Sequence, residues 1–277
     1  MRVPVLLAAT VCLVGCSQSD KPDDRASPFI VASVYPLVWA AEEIGGKVGL
    51  RVVNLTRPGT EPHDVELSPR DVEAVRDAAL VLYVGAGFQP AVEDAVEGRE
   101  RRPSLDVLGR EESDPHVWLD PVRFAEVVEE LGAAIGSPVT ARDVAGAVRD
   151  LDSEYRRGLA QCERRTLVTS HRAFGQLAER YDLTELSLAG RSPEAEPSPR
   201  ELERLINDVR ASGATTVFAE PLVSDRLAET VAREAGIEVA VLDPIEGLSQ
   251  ERLNAGEDYL TVMRTNLAAL RRALACR

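Results

Sequence analysis

Histidine is almost missing from this chain, which has three in 277 residues: His63, His116 and His171. That scarcity leaves no compact zinc-enzyme motif of the His-Glu-x-x-His kind. Cysteine is nearly as rare, with four residues. Cys162 and Cys276 stand near no other Cys or His in sequence, so metal ligation by them is disfavoured. Aromatic residues make up 4% of the chain, so the core is expected to be mostly Ala, Val and Leu, and any aromatic beside a histidine carries weight. Positive charge is also short: 32 Lys and Arg face 46 Asp and Glu, a net charge of -14. Phosphate backbones are gripped by clustered cations, so no nucleic-acid partner is expected and a cation is the more natural ligand. Neither a glycine-rich phosphate loop nor a Gly-x-Ser-x-Gly elbow recommends a nucleotide or acyl-transfer enzyme.

The opening stretch MRVPVLLAATVCLVGC carries a basic residue and then an apolar run shorter than the roughly 20 residues that span a bilayer. Residues 1–15 are therefore read as a signal peptide. Leu13-Val14-Gly15-Cys16 resembles a bacterial lipobox, which makes Cys16 the lipid-bearing residue. Residues 16–28, polar and charged with two prolines, are then a flexible lipid-anchored tether. The expected location is the outer face of the cell membrane, with membrane lipid as a partner through Cys16. Export places Cys162 and Cys276 in an oxidising compartment, where such a pair is expected to form a disulfide. In the chain-entropy picture so long a loop contributes about 4 kcal/mol or more.

From residue 29 short apolar runs alternate with amphipathic segments. FIVASVY (29–35), LRVVNL (50–55) and ALVLYVG (79–85) read as buried strands, and so do TLVTS, LTELSLA, TTVFAE and VAVLD in the second half. The helices between them include SPRDVEAVRDA, with Ser68 as its cap and Pro69 in the first turn. Others are expected to start at Arg172, Ser198 and Ser224, with a last one from about Gly256. This rhythm implies parallel sheet. Residues 121–161 hold no strand candidate. They read as two helices, the second with Val144, Val148, Leu151, Tyr155 and Leu159 on one side. The expected fold class is α/β: two open lobes, each a small, mostly parallel sheet flanked by helices, joined by one long rigid helix. The boundaries are an N-terminal lobe at 29–137, a linking helix at 138–162 and a C-terminal lobe at 163–277.

Ligands of open α/β sheets bind beyond the carboxyl ends of strands, where loops to the next helix gather. All three histidines fall in such loops, and three imidazoles with an oxygen donor make a tetrahedral zinc site. A lone loop histidine, however, is ordinarily a solvated or hydrogen-bonded residue. The three lie too far apart in sequence for spacing to tell those readings apart.

The stretches SVYPL, RPGTEPHDVELSPRD, DPHVWLDP, TSHRAFGQLAERYDL, SPEAEPSPRELERL, FAEPLVSDRLAETVAREAG and LDPIEGLS run the length of the chain in order. Together they resemble the zinc-binding solute receptors of ABC transporters, the ZnuA-like and AdcA-like lipoproteins of the cluster A-I metal-binding family. The resemblance implies two α/β lobes around one rigid helix, with metal held between the lobes. It implies His63, His116 and His171 as ligands. A carboxylate in DPIEG would be the fourth, Glu246 in preference to Asp243, with water as a further option. Glu61, Asp64, Asp114 and Asp120 are candidates to support the imidazoles from behind, and the role of Glu220 is open. Two features depart from the family pattern. Residues 89–113 contain no histidine, so no auxiliary metal-collecting loop is expected. Arg172 also follows His171, where a guanidinium would repel a dication unless it turns away.

The resemblance implies a monomeric, non-enzymatic receptor that captures Zn(II) and passes it to an ABC permease and its ATPase. A third histidine argues for zinc over manganese, since the related manganese receptors have an acid there. The alternatives are a receptor of the same fold for another divalent transition metal such as Mn or Fe, or a secreted zinc hydrolase in which a glutamate activates bound water. An adhesin-like surface role is compatible with the first.

Overall fold

The computed structural model describes residues 28–99, 102–108, 114–190 and 197–277. The leader, Cys16 and all but the last residue of the tether lie outside the described residues, as does part of the SPEAEP stretch. Two four-stranded sheets organise the chain, every strand pairing being parallel. The first holds β1 (Phe29–Ala32), β2 (Arg51–Asn54), β3 (Leu80–Tyr83) and β4 (Ser104–Asp106), in the order β2-β1-β3-β4. The second repeats that order as β6-β5-β7-β8, with β5 (Thr166–Thr169), β6 (Thr184–Ser187), β7 (Thr216–Ala219) and β8 (Glu238–Val241). In each sheet the first strand lies between the next two. The chain thus reverses its winding direction there, and this opens a crevice at the carboxyl edge. This is the expected pair of α/β lobes.

Ten helices are described: α1 (Tyr35–Gly45), α2 (Pro69–Asp77), α3 (Pro90–Glu97), α4 (Pro121–Ala134), α5 (Pro138–Leu159), α6 (Gly175–Arg180), α7 (Pro199–Ser212), α8 (Arg226–Ala235), α9 (Gln250–Asn254) and α10 (Tyr259–Ala273). Local chemistry fixes many of their starts. Ser68 and Ser198 close capping boxes with Asp71 and Glu201, and proline follows each in the first turn. Asp258 caps α10 by accepting from Thr261 N, so that helix begins at Tyr259 and not at Gly256. Helix α6 begins at Gly175 and not at Arg172, because the intervening amides are claimed elsewhere. Arg172 N donates to Gly190 O at 2.8 Å and Phe174 N to Glu185 Oε1 at 2.9 Å. Strand β4 and helices α3 and α9 are additions to the sequence reading. They are too short to show a hydrophobic period.

Period-2 alternation splits the first sheet cleanly. Ile30 and Ala32 of β1 join the large central core, whereas Val31 packs with Val75, Val81 and Val92 under α2 and α3. In the second sheet, Val168, Val217 and Ala219 face the layer built by α7 and α8. The central core is continuous across both lobes through α1, α4, α5 and α10. Helix α5 follows the first sheet and precedes the second, and at 22 residues it is about 33 Å long. Its buried face is the one read from sequence: Val144, Val148, Leu151, Tyr155 and Leu159. Gly132 allows α4 to lie close against it, for a Cβ there would meet the Ala141 methyl at 2.0 Å. Tyr155 donates to Met263 O at 2.7 Å, which ties α5 to α10. Beyond α5, Cys162 is disulfide-bonded to Cys276, 114 positions away. No described helix is long and apolar enough to cross a membrane.

Candidate metal centre

Every residue at issue lies past the carboxyl end of a strand. His63 follows β2, His116 follows β4, His171 follows β5, Glu220 follows β7 and Glu246 follows β8. The lobes face each other along these edges, so residues remote in sequence are brought together. One ligand atom each from His63, His116, His171 and Glu246 all lie within 4.8 Å of one another. Asp243 stands outside that group. Its Oδ2 accepts from Arg252 Nη1 at 2.6 Å and its Oδ1 from Ile245 N at 2.7 Å.

The geometry centres on a single oxygen. Glu246 Oε1 is 2.8 Å from His116 Nε2, 3.1 Å from His63 Nε2 and 3.5 Å from His171 Nε2. A tetrahedron with metal–ligand bonds of about 2.0–2.1 Å has edges of about 3.3 Å. The three nitrogen–oxygen separations bracket that length. His116, His171 and Glu246 are buried, and His63 is the most open of the four, with 11% of its side chain exposed. Phe88 sets its ring edge-on to His63 at 4.5 Å between centroids, and Trp118 does the same to His116 at 5.4 Å. These two aromatics wall the cluster with apolar surface.

A second set of carboxylates stands behind the imidazoles. Asp114 Oδ1 lies 2.9 Å from His116 Nδ1 and also accepts that residue's backbone N–H at 3.1 Å. Glu220 stands in the same place behind His171, its Oε2 within ion-pair distance of Nδ1 at 2.6 Å and its Oε1 accepting from His171 N at 3.1 Å. Such partners fix the tautomer and leave Nε2 as the outward donor atom. Glu220, whose role the sequence left open, thus takes the place that strand-end position alone could not specify. The other candidates do different things. Glu61 accepts the backbone N–H of His63 at 3.1 Å and does not reach the ring. Asp64 is exposed. Asp120 caps α4 and forms a two-pronged pair with Arg180, the closest contact 2.6 Å. Arg172 is exposed to solvent, which answers the objection its sequence position raised.

Titration follows from this crowding. Burial opposes charge on Glu246, but the three imidazoles around it, two of them hydrogen-bonded to its Oε1, reverse that and hold its carboxyl well below the ordinary range. Burial likewise pulls His171 down, and Glu220 and Glu246 together push it up to about 11. His116 is raised in the same way, burial being overcome by Asp114 and Glu246. Glu61 is pushed up to about 8 by burial and by repulsion from Glu246. Without an ion, the buried imidazoles and carboxylates offset one another's charge, and a bound cation would take over that role by displacing protons.

Two of the hydrogen bonds between the halves run beside this cluster. Trp118 Nε1 donates to Pro244 O at 2.7 Å, and Tyr259 OH donates to Trp118 O at 2.6 Å. Two parallel sheets whose carboxyl edges meet over a buried set of candidate donors make a two-lobed α/β architecture with its site between the lobes, rather than a single sheet with a surface site. The chain belongs to the family described as zinc-uptake complex component A, periplasmic (ZnuA), whose pattern matches residues 30–273. It is 32% identical over 307 residues to the zinc-binding lipoprotein AdcA of Streptococcus pneumoniae, covering 98% of this chain and 61% of that one. It is 31% identical over 284 residues to the zinc-binding protein AdcA of Streptococcus pyogenes, covering 87% of this chain and 55% of the relative. The chain thus spans only a little more than half the length of these relatives. Among solved structures, the Zn(II)-bound ZnuA-like domain of Streptococcus pneumoniae AdcA superposes with a TM-score of 0.74 at 32% identity. That match covers 89% of this chain and 98% of the domain.

Proposed function

We propose that this protein is an extracytoplasmic receptor that captures Zn(II) with high affinity between its two lobes and delivers it to an ABC-type permease and its ATPase. The first lobe supplies His63 and His116 and the second supplies His171 and Glu246. One ion then bridges the cleft, and capture is coupled to lobe closure. Asp114 and Glu220 hold the His116 and His171 rings in register, while Phe88 and Trp118 keep water from the ion. Cys16, lipidated, tethers the receptor to the outer face of the membrane, and the protein acts as a monomer.

The observation that carries this reading is the convergence of three imidazole nitrogens on one glutamate oxygen at 2.8, 3.1 and 3.5 Å. Three nitrogens and one carboxylate oxygen suit zinc; manganese and calcium favour more oxygen. The same convergence weighs against a hydrolase. Catalysis requires an open coordination position for water, and here the glutamate that would act as base occupies the fourth corner. The test is metal analysis of the purified protein together with a competition titration of the His116→Ala variant. We expect one zinc per chain in the parent and an affinity at least about a hundredfold weaker in the variant. A variant that binds as tightly as the parent would remove His116 from the set.

A further inference from the structure

Glu246 is presented by a turn that its own neighbour resists. Ile245 has φ of +59°, in the left-handed region where a β-branched side chain crowds the backbone. The residue is fully buried, so it has no solvent-facing route to relax. Freed of restraint, its backbone would return to negative φ and carry the next side chain, Glu246, away from the imidazoles. A conformation of this cost persists only where the surroundings over-determine it.

Those surroundings converge on Asp243. Its Oδ1 accepts Ile245 N at 2.7 Å, which directly ties down the strained residue. Its Oδ2 accepts Arg252 Nη1 at 2.6 Å, and Glu257 holds that same guanidinium at 2.8 Å. The Asn266 side chain of α10 brackets the Asp243 backbone, accepting from its N–H at 3.0 Å and donating to its carbonyl at 2.7 Å. Asp243 and Asn266 are both buried, where lost hydrogen bonds cost most. Asp243 is outside the donor cluster yet three residues from its carboxylate, and sequence alone left it a rival ligand.

We propose that Asp243 is a positioning residue: locked by Arg252 and Asn266, it holds the left-handed turn at Ile245 and so keeps the Glu246 carboxylate aimed at the three imidazoles. The proposal rests on Glu246 serving as a zinc ligand. It makes tight capture depend on a hydrogen-bond clamp that never touches the ion. Loss of the clamp lets the turn relax, and the site keeps its histidines while its fourth corner is left to water.

The test is a double-mutant cycle on the full chain, reading zinc affinity by competition with a chromophoric chelator at fixed pH. Asp243→Ala should weaken binding about tenfold, equivalent to about 1.4 kcal/mol. In an E246Q background the same change should cost less than about twofold, because a residue acting through Glu246 has nothing left to position. Asp243→Asn retains an oxygen for Ile245 N and should stay within about threefold of the parent. With Co(II) in place of zinc, Asp243→Ala should weaken the visible d–d bands as water enters, and should change nothing further on top of E246Q. Parent-like affinity in Asp243→Ala would overturn the proposal, and so would a tenfold loss that persists in E246Q, which would make Asp243 act on the ion independently. If circular dichroism shows Asp243→Ala to be unfolded, the cycle runs with Arg252→Gln under the same expectations. A parent chain that binds no zinc would bring down the functional reading itself, and the clamp with it.

Discussion

Loading the cluster with zinc at neutral pH should expel protons, because a metal bonds only to the unprotonated imidazole nitrogen. Burial would lower the His171 pKa, but Glu220 and Glu246 override it and raise the ring to about 11. The direction of that shift favours a proton on the ring at neutral pH when no metal is bound. Freeing its nitrogen for a metal at neutral pH therefore requires that proton to leave. His116 is raised in the same direction, with Asp114 and Glu246 outweighing burial. The sign follows from the direction of both shifts. A raised pKa means the proton is held at low pH and given up as pH rises, so capture strengthens toward alkaline pH and acid releases the metal. Each proton displaced contributes about tenfold in apparent affinity per pH unit. With one proton from His171 as the minimum, affinity should fall at least about a hundredfold between pH 7 and 5. The assay is titration calorimetry of zinc binding at pH 7 in buffers of different ionisation enthalpy. The slope of observed against buffer enthalpy gives the number of protons, expected between about one and two. A slope indistinguishable from zero would refute the reasoning, since it would mean that Glu220 and Glu246 do not hold a proton on His171.

Two further outcomes concern stability. Replacing Cys162 and Cys276 by serine removes a covalent loop of 114 positions, which the chain-entropy relation values at about 4.7 kcal/mol. For a chain of this size the zinc-free melting temperature should fall by about 10–20 °C in calorimetry; a fall under about 3 °C would mean that the unfolded chain is little constrained by the bridge. Free zinc at about a hundred times its Kd should add about 2.7 kcal/mol, raising the melting temperature by about 5–10 °C. Excess chelator should return it to the starting value, and an unmoved midpoint would mean that no ion is held by the folded chain.

Part of this architecture is legible in the sequence, and each such element has a local cause. Ser68 followed by Pro69 and Asp71 states a helix start in adjacent residues, and α2 begins there. The apolar side of α5 is written in a period of three to four and is the side that packs. Strand β4 was not readable because three residues, Ser-Leu-Asp, cannot display an alternation. The start of α6 was misplaced because Glu185 and Gly190, in and beyond the following strand, compete for the amides of Phe174 and Arg172.

The sequence by itself determined the α/β rhythm and the places where helices start, because helix caps and hydrophobic period are local properties; the rarity of histidine singled out three candidates, and only the family resemblance pointed to them as a set. Tertiary structure alone decided how the DPIEG acids divide their work. Asp243 and Glu246 are both carboxylates in one short loop, and nothing in their spacing separates them. The left-handed backbone at Ile245, the guanidinium of Arg252 and the amide of Asn266 turn one acid into the wall and the other toward the histidines. Glu220 is distinguished in the same way, by the proximity of the β5 and β7 edges rather than by its neighbours in the chain. Which oxygen meets which nitrogen depends on packing between segments remote in sequence, and only the folded chain sets that.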